Sequence, residues 1–229
     1  MNAKTMKIIA IVTMTIDHIG YYLVPETSEW YLATRIIGRI AFPLFAFFIA
    51  EGYWHSHDRT KYLVRLMDFA AMFEAIIIGY YLASGVNLIF KVNILWTLAA
   101  GLLCLILLNR QEIYFKLLVI PLVIGVELLK LQYGAYGIGL ILIFGFIRKL
   151  PWRVLAMASF TLFFIQIPLF QLIGLDSYAR YQGYSQWFSL LALVPIAFYN
   201  GQKGTFNRYF FYFYYPAHLI LIYSLSLLI

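Results

Sequence analysis

The chain has 229 residues, of which 63% are hydrophobic and 12% charged, with a formal net charge of +7. Soluble domains run near half apolar and a quarter charged, and a chain this short keeps too much surface for the apolar excess to be core; a soluble globular domain is excluded, and an all-α integral membrane protein with the lipid bilayer around it is expected. The positive balance reads as basic cytoplasmic loops, and without a long basic run or basic amphipathic tail it gives no reason to expect a nucleic-acid partner.

A spanning helix needs about 20 mainly apolar residues. Segments of that character fall near 7–24, 34–54, 62–82, 92–108, 114–130, 133–147, 152–174, 186–200 and 209–228. They predict one polytopic membrane domain over residues 1–229, a bundle of about nine transmembrane helices (eight to ten). The fifth and sixth are short and separated only by Leu131 and Gln132, which fits a tight helical hairpin or a re-entrant pair. The first lacks a small-residue cleavage site and carries Asp17 and His18, so it reads as a retained helix. With the N-terminus in the cytoplasm, 12 of the 17 Lys and Arg residues fall on the inner side and five on the outer, which predicts an N-in orientation. No internal repeat stands out, which weighs against a transporter built from inverted halves. The single cysteine, Cys104, excludes an intramolecular disulfide and a cysteine-based zinc cluster.

Ionisable residues inside such segments face the bundle interior or a water-filled cavity, because exposure to lipid is costly. Asp17 and His18 come first. Counted from Lys7, His18 lies about 16 Å up the helix, near the midplane. It is either a structural hydrogen-bonding residue or a proton-handling one, since neutral imidazole is the natural base near pH 7. Arg35 and Arg39 are four apart and share a helix face. Arg39 either snorkels to the headgroups, contacts an anion or carboxylate, or bridges to Asp17; Pro43 just beyond it is expected to kink the helix. Glu51 either marks the inner interface or pairs with Arg65. His55 and His57 read as a solvated loop, and no metal site is expected. Asn93 and Thr97 are i, i+4 neighbours, and Glu74 is a further buried acid. Near the C-terminus, Asn200-Gly201-Gln202-Lys203-Gly204 reads as a cytoplasmic loop whose glycines permit positive φ. Tyr215-Pro216-Ala217-His218 lies in the last helix, with His218 about 14 Å from Tyr209, so His18 and His218 come out at similar depth.

These residues resemble a known family. Asp17-His18-Ile19-Gly20, Arg35-x-x-Gly38-Arg39-x-Ala41-x-Pro43-Leu44-Phe45-Ala46, Glu51-Gly52-Tyr53 and Lys61-Tyr62-x-x-Arg65-Leu66 carry the likeness in the N-terminal part. Asn93-x-x-x-Thr97, Gly101 and Tyr133-Gly134-x-Tyr136-Gly137 carry it in the middle. Tyr199-Asn200-Gly201-x-x-Gly204 and Phe211-Tyr212-x-x-Tyr215-Pro216-x-His218-Leu219 carry it at the end. The chain resembles the TraX family of membrane proteins over nearly its whole length. One departure stands out: the family's pattern places a proline within two residues of the buried glutamate of the third helix, and here Glu74 is followed by Ala75 and Ile76.

The resemblance implies a multi-pass protein of the bacterial cytoplasmic membrane, associated with N-terminal acetylation of a conjugative pilin and similar to a wider group of membrane acyltransferases. It implies acetyl-CoA as co-substrate and an acceptor peptide or small amine. On that reading His18 or His218 is the base, Asp17 orients His18, and Arg39 or Asn93 stabilises the oxyanion. Arg59, Lys61, Arg65, Asn200, Gly201, Lys203 and Arg208 form a basic inner rim for the coenzyme phosphates, and Arg35, Glu51, Asn93 and Tyr215 contact substrate. The alternatives are a small proton-coupled transporter, since buried acids and histidines also suit a proton relay, and a non-catalytic component of a pilus or conjugation complex.

Overall fold

The computed structural model describes residues 1–84, 93–166, 178–205 and 210–228. Every regular element among them is helical. In chain order these are α1 (Ala3–Leu23), α2 (Glu29–Gly38), α3 (Ala41–His55), α4 (Arg59–Ser84), α5 (Ile94–Leu108), α6 (Ile113–Leu117), α7 (Val119–Leu128), α8 (Gly134–Phe146), α9 (Leu150–Gln166), a 3₁₀ segment (Tyr178–Ala192), α10 (Leu193–Ala197) and α11 (Phe210–Ser226). The chain divides into two compact units. The first comprises Met1–Phe45, Ala75–Leu88 and Phe188–Ile229, and the second Ala46–Glu74 and Ile89–Trp187.

In the first unit α1 packs against α2 and α11. Asn2 caps α1 by accepting a hydrogen bond from the Thr5 N–H at 3.0 Å, which satisfies one of the orphan donors of the first turn. Ala3, Met6, Ala10, Thr13 and Met14 are buried at the three- and four-residue spacing of one helix face. Asp17 and the buried Gly20 prolong that stripe, so the acid points where the face is covered.

The sequence predicts one kinked helix over 34–54. The stretch Glu29–His55 is that helix, and its kink is a break: α2 ends at Gly38 and α3 begins at Ala41. The physical reason lies at Pro43, which has no N–H to offer the carbonyl four residues earlier, at Arg39, and whose ring crowds that carbonyl. The break therefore falls at Arg39 and Ile40. The consequence is functional: Arg39 sits at a bend, with its side chain turned inward and 1% exposed.

In the second unit α8 is central, packed against α5, α7 and α9. Leu102, Leu105, Leu140, Ile141 and Phe144 are fully buried there. The expected hairpin between 114–130 and 133–147 is present as α7 and α8, with Lys130 and Tyr133 at positive φ in the turn. Glu127 holds that turn. Its Oε1 accepts the backbone N–H of Ala135 at 2.6 Å, a carboxylate at a helix N-terminus where the exposed amides and the dipole favour negative charge. The α4 N-terminus is capped in a similar way by Asp58, which accepts the Lys61 N–H at 2.9 Å; that bond, more than any other influence, holds the Asp58 carboxyl below its usual range. With no proline after Glu74, α4 runs on to Ser84.

Among the described residues one stretch, Glu29–His55, is both long and apolar enough to cross a membrane, by length and composition. Of the nine expected spans, that criterion is met by one among the described residues. α1 and α4 have 21 and 26 residues but carry several charges, and α5, α8 and α9 are apolar but shorter.

Candidate functional site

The first unit gathers the polar residues of α1, α2 and α11 into one cluster. Asp17 Oδ1 lies 2.8 Å from Arg35 Nη1 and 3.0 Å from Arg39 Nη2. Arg39 also donates through Nε to the Arg35 carbonyl at 3.1 Å, which locks its guanidinium across the bend. Gly38 makes the approach possible: a Cβ there would stand 2.0 Å from Asp17 Oδ1 and 2.4 Å from Asp17 Cβ, so any side chain would push the carboxylate away from the two arginines. Two guanidiniums thus share the Asp17 carboxylate.

His18 Nδ1 lies 2.9 Å from His218 Nε2. The donors follow from the next partner in line. His218 Nδ1 lies 2.8 Å from the Tyr214 carbonyl, and a carbonyl only accepts, so the proton of His218 sits on Nδ1. In the neutral pair His218 Nε2 is then the acceptor, and His18 Nδ1 donates to it. The chain of tautomers leaves His18 Nε2 with its lone pair, in the position of a general base whose orientation is fixed from behind.

Tyr214 completes this support. Its ring stacks on His218 at 5.0 Å between centroids and 10° between planes. Its hydroxyl is 2.7 Å from Thr15 Oγ1. Thr15 gives its one proton to the Ile11 carbonyl at 2.8 Å, so the phenol donates to the threonine. Tyr215 lies tilted to His218 at 5.7 Å.

A family model described as TraX protein matches residues 2–226. The chain belongs to the TraX family. It is 29% identical over 242 aligned positions to the probable fimbrial assembly protein FimC, serogroup H1, of Dichelobacter nodosus, an alignment covering 97% of this chain and 95% of that one. It is 50% identical over 56 residues to the uncharacterized protein RP591 of Rickettsia prowazekii (strain Madrid E), covering 24% of this chain and 20% of that one. No solved structure matches.

The TraX motifs of the first unit thus converge: Asp17-His18, Arg35-x-x-Gly38-Arg39 and Tyr215-Pro216-x-His218 supply the cluster, with Thr15 and Tyr214 added from outside them. The resemblance implied that Asp17 orients His18, while the reading of Arg39 left a bridge to Asp17 open. The structure corrects the first: successive helical residues point about 100° apart, so Asp17 turns to the arginines and His218 takes the orienting place. The loop from Asn200 to Gly204 belongs to the same unit. Gly201 and Gly204 have φ of +76° and +65°, as a glycine-bearing turn requires. Asn200 Oδ1 accepts the Gln202 N–H at 3.2 Å, and the Gln202 carbonyl accepts the Ala3 N–H at 2.8 Å. Lys203 is exposed, and Arg208 lies outside the described residues.

The remaining TraX candidates belong to the second unit. Glu51 pairs with Arg148, Oε1 to Nη1 at 2.9 Å, and not with Arg65, whose guanidinium lies over the Tyr62 ring at 5.6 Å. Arg59 folds back over Tyr53 at 4.3 Å, and Lys61 reaches Asp58 at 3.4 Å. Asn93 is fully engaged. Its amide donates to the Ala70 carbonyl at 2.9 Å and to Glu74 Oε2 at 2.5 Å, and its oxygen caps α5 through Leu95 N–H at 3.0 Å. Neither proton is left for an oxyanion. Thr97 bonds the Gln132 carbonyl.

Sequence reasoning missed Thr15, Tyr214, Glu127 and Arg148. For Tyr214 a signal was present: it stands four before His218, on the same helix face, inside an aromatic run that hides it. For Thr15 and Arg148 the partner is distant in the chain and no local pattern names it. Among the described residues no group of three or more metal-binding side chains occurs.

Proposed function

We propose that this TraX protein is a multi-pass membrane acetyltransferase, oriented N-in, that moves an acetyl group from acetyl-CoA to an acceptor amine. The observation that carries the proposal is the His18–His218 pair, a base with its free nitrogen set by a fixed tautomer chain, with Arg35 and Arg39 on the adjacent Asp17. The membrane reading is supported by outward apolar faces. Ile8, Val12 and Ile19 of α1, Ile120, Ile124 and Leu128 of α7, and Val154, Leu155 and Leu162 of α9 are all exposed, rows of large apolar side chains of the kind that mark an apolar contact surface.

In the proposed step the acceptor nitrogen attacks the thioester carbonyl and gives its proton to His18 Nε2. The new N–C bond forms, the tetrahedral intermediate collapses, the C–S bond breaks, and His18 returns the proton to the leaving thiolate. Arg35 and Arg39 favour the negative charge of the intermediate. Phosphates of the coenzyme are assigned to the exposed Asn200–Lys203 loop with Arg208. Ala3, bonded to that loop, is about 22 Å along α1 from His18, the span the coenzyme's extended arm must cover. The relative from Dichelobacter nodosus is named for fimbrial assembly, which favours the N-terminus of a pilin-like subunit as acceptor. The same name favours a second reading, a non-catalytic assembly component. Purified protein in lipid bilayers, given isotopically labelled acetyl-CoA and a pilin-type peptide, should transfer label to the free amine and not to the same peptide with a blocked N-terminus. Absence of label in the peptide, with folded protein present, would leave the assembly reading.

A further inference from the structure

A second polar site lies in the other unit, around the turn between α8 and α9. A groove of about 430 Å³ opens there. Its floor is apolar, made by Phe146, Trp152 and Leu155, and its rim carries Arg148 and Lys149. The floor residues are 48%, 60% and 56% exposed, although a large apolar side chain loses free energy by facing water.

The charges around the groove do not cancel. Glu51 neutralises Arg148, whose side chain remains 53% exposed. Arg153 is buried, donates through Nε to the Ile147 carbonyl and lies over the Phe47 ring at 5.3 Å. It meets no carboxylate in these contacts. The Lys149 carbonyl accepts the Arg153 N–H at 3.0 Å, while its side chain is exposed and makes no hydrogen bond or ion pair among the described residues. Of the two cations that line the groove, Arg148 is matched by Glu51 and Lys149 is left over. The glutamate is held in turn by its own surroundings, with His55 Nδ1 3.8 Å from Oε2, and Trp54 fixes the end of α8 by donating to the Gly145 carbonyl at 2.8 Å.

An apolar floor beside unbalanced positive charge matches a molecule with the opposite pairing, an anionic head on apolar tails. We propose that this groove binds an anionic phospholipid, with the phosphate held at Lys149 and Arg148 and an acyl chain laid along Trp152 and Leu155. The tryptophan suits the boundary, where an amphipathic ring has one end in the apolar phase and one in the headgroup layer. Basic clusters at the cytoplasmic surface attract acidic lipids in the same way. The proposal rests on the multi-pass, N-in reading and is independent of acetyl transfer. A general excess of cytoplasmic charge would account for the lysine and arginines but not for the groove, nor for specificity toward one headgroup.

The test uses the full-length protein purified in a neutral detergent. Binding of phosphatidylglycerol and of phosphatidylcholine is measured by native mass spectrometry and by the rise in Tm each lipid produces. Phosphatidylglycerol should bind and raise Tm, with phosphatidylcholine much weaker. Lys149→Glu should weaken phosphatidylglycerol binding at least about tenfold, since each surface cation contributes roughly 1 kcal/mol toward anionic lipid, and should leave Tm without lipid unchanged. Trp152→Ser should weaken it through the tail. If charge reversal disturbs folding, Lys149→Gln gives the same comparison at smaller effect. Equal binding of the two lipids, or wild-type binding by both lysine variants, overturns the proposal. Displacement of the lipid by inorganic pyrophosphate or coenzyme A alone overturns it as well, by assigning the groove to soluble phosphates. Protein that stays in solution without detergent would sink the membrane reading itself, and acetyl transfer is untouched by any of these outcomes.

Discussion

The imidazoles of His18 and His218 share a hydrogen bond of 2.9 Å although 200 positions separate them in the chain. Because the Tyr214 carbonyl fixes which nitrogen of His218 carries the proton, the two rings are not equivalent: His18 presents the free lone pair, and His218 holds His18 in place.

That asymmetry predicts unequal variants. His18→Gln removes the base, and acetyl transfer per folded molecule should fall roughly 10²–10⁴-fold, the usual contribution of proton transfer. His218→Gln keeps an acceptor oxygen for His18 Nδ1, so its loss should be smaller and its pH–rate profile displaced. Rates normalised to membrane abundance check this. Near-normal rates for both variants, at normal abundance, rule out the histidine mechanism.

Asp17→Asn should act through stability before it acts on chemistry. It leaves Arg35 and Arg39 without their shared carboxylate, and Arg39 is 1% exposed. Breaking a buried pair by removing one partner costs on the order of 3–5 kcal/mol, so Tm in detergent and steady-state abundance should both drop. Arg35→Gln should cost less, because Arg39 still neutralises the acid. Equal losses for the two variants would mean that Arg39 is not the principal partner.

Gly38→Ala adds one methyl where Asp17 already stands, 2.0 Å from the new carbon. Overpacking of this kind costs roughly 1–3 kcal/mol, and here the relief must come from displacing the carboxylate. The variant should therefore resemble Asp17→Asn in Tm and lose activity with it. Gly79→Ala, where nothing lies within 4 Å of the added carbon, is the control and should be neutral or slightly stabilising as a helix substitution. A tolerated Gly38→Ala would count against the close packing of α1 on α2.

Orientation is tested with cysteines. On a Cys104→Ala background, single cysteines at Ser56 and at Gln202 should resist membrane-impermeant thiol reagents in intact cells and react after permeabilisation. Labelling of either from outside would reverse the N-in assignment and with it the side from which the coenzyme enters.

The two levels of description divide along a physical line. Composition, periodicity and proline chemistry are local, and they sufficed for the helices, for the interruption near Pro43 and for the turn at residues 129–133. Depth is also local: a helix rises 1.5 Å per residue, so counting along the chain put His18 and His218 at similar height. The sequence by itself therefore determined that this is a helical TraX chain with ionisable residues set inside it. Partnership was another matter. Which way a side chain faces around the helix axis, and which helix stands opposite, depends on packing among distant segments. On paper Asp17 could serve His18 or bridge to Arg39, and the fold decided for Arg39, adding Arg35, across the gap left by Gly38. Glu51 had Arg65 within reach on paper, and the fold gave it Arg148. Asn93 was expected to serve an oxyanion, and the fold spends its amide on Glu74 and Ala70. The order of proton donors from His18 through His218 to Tyr214 belongs to the tertiary structure alone, because it is set by one carbonyl oxygen that no sequence pattern marks.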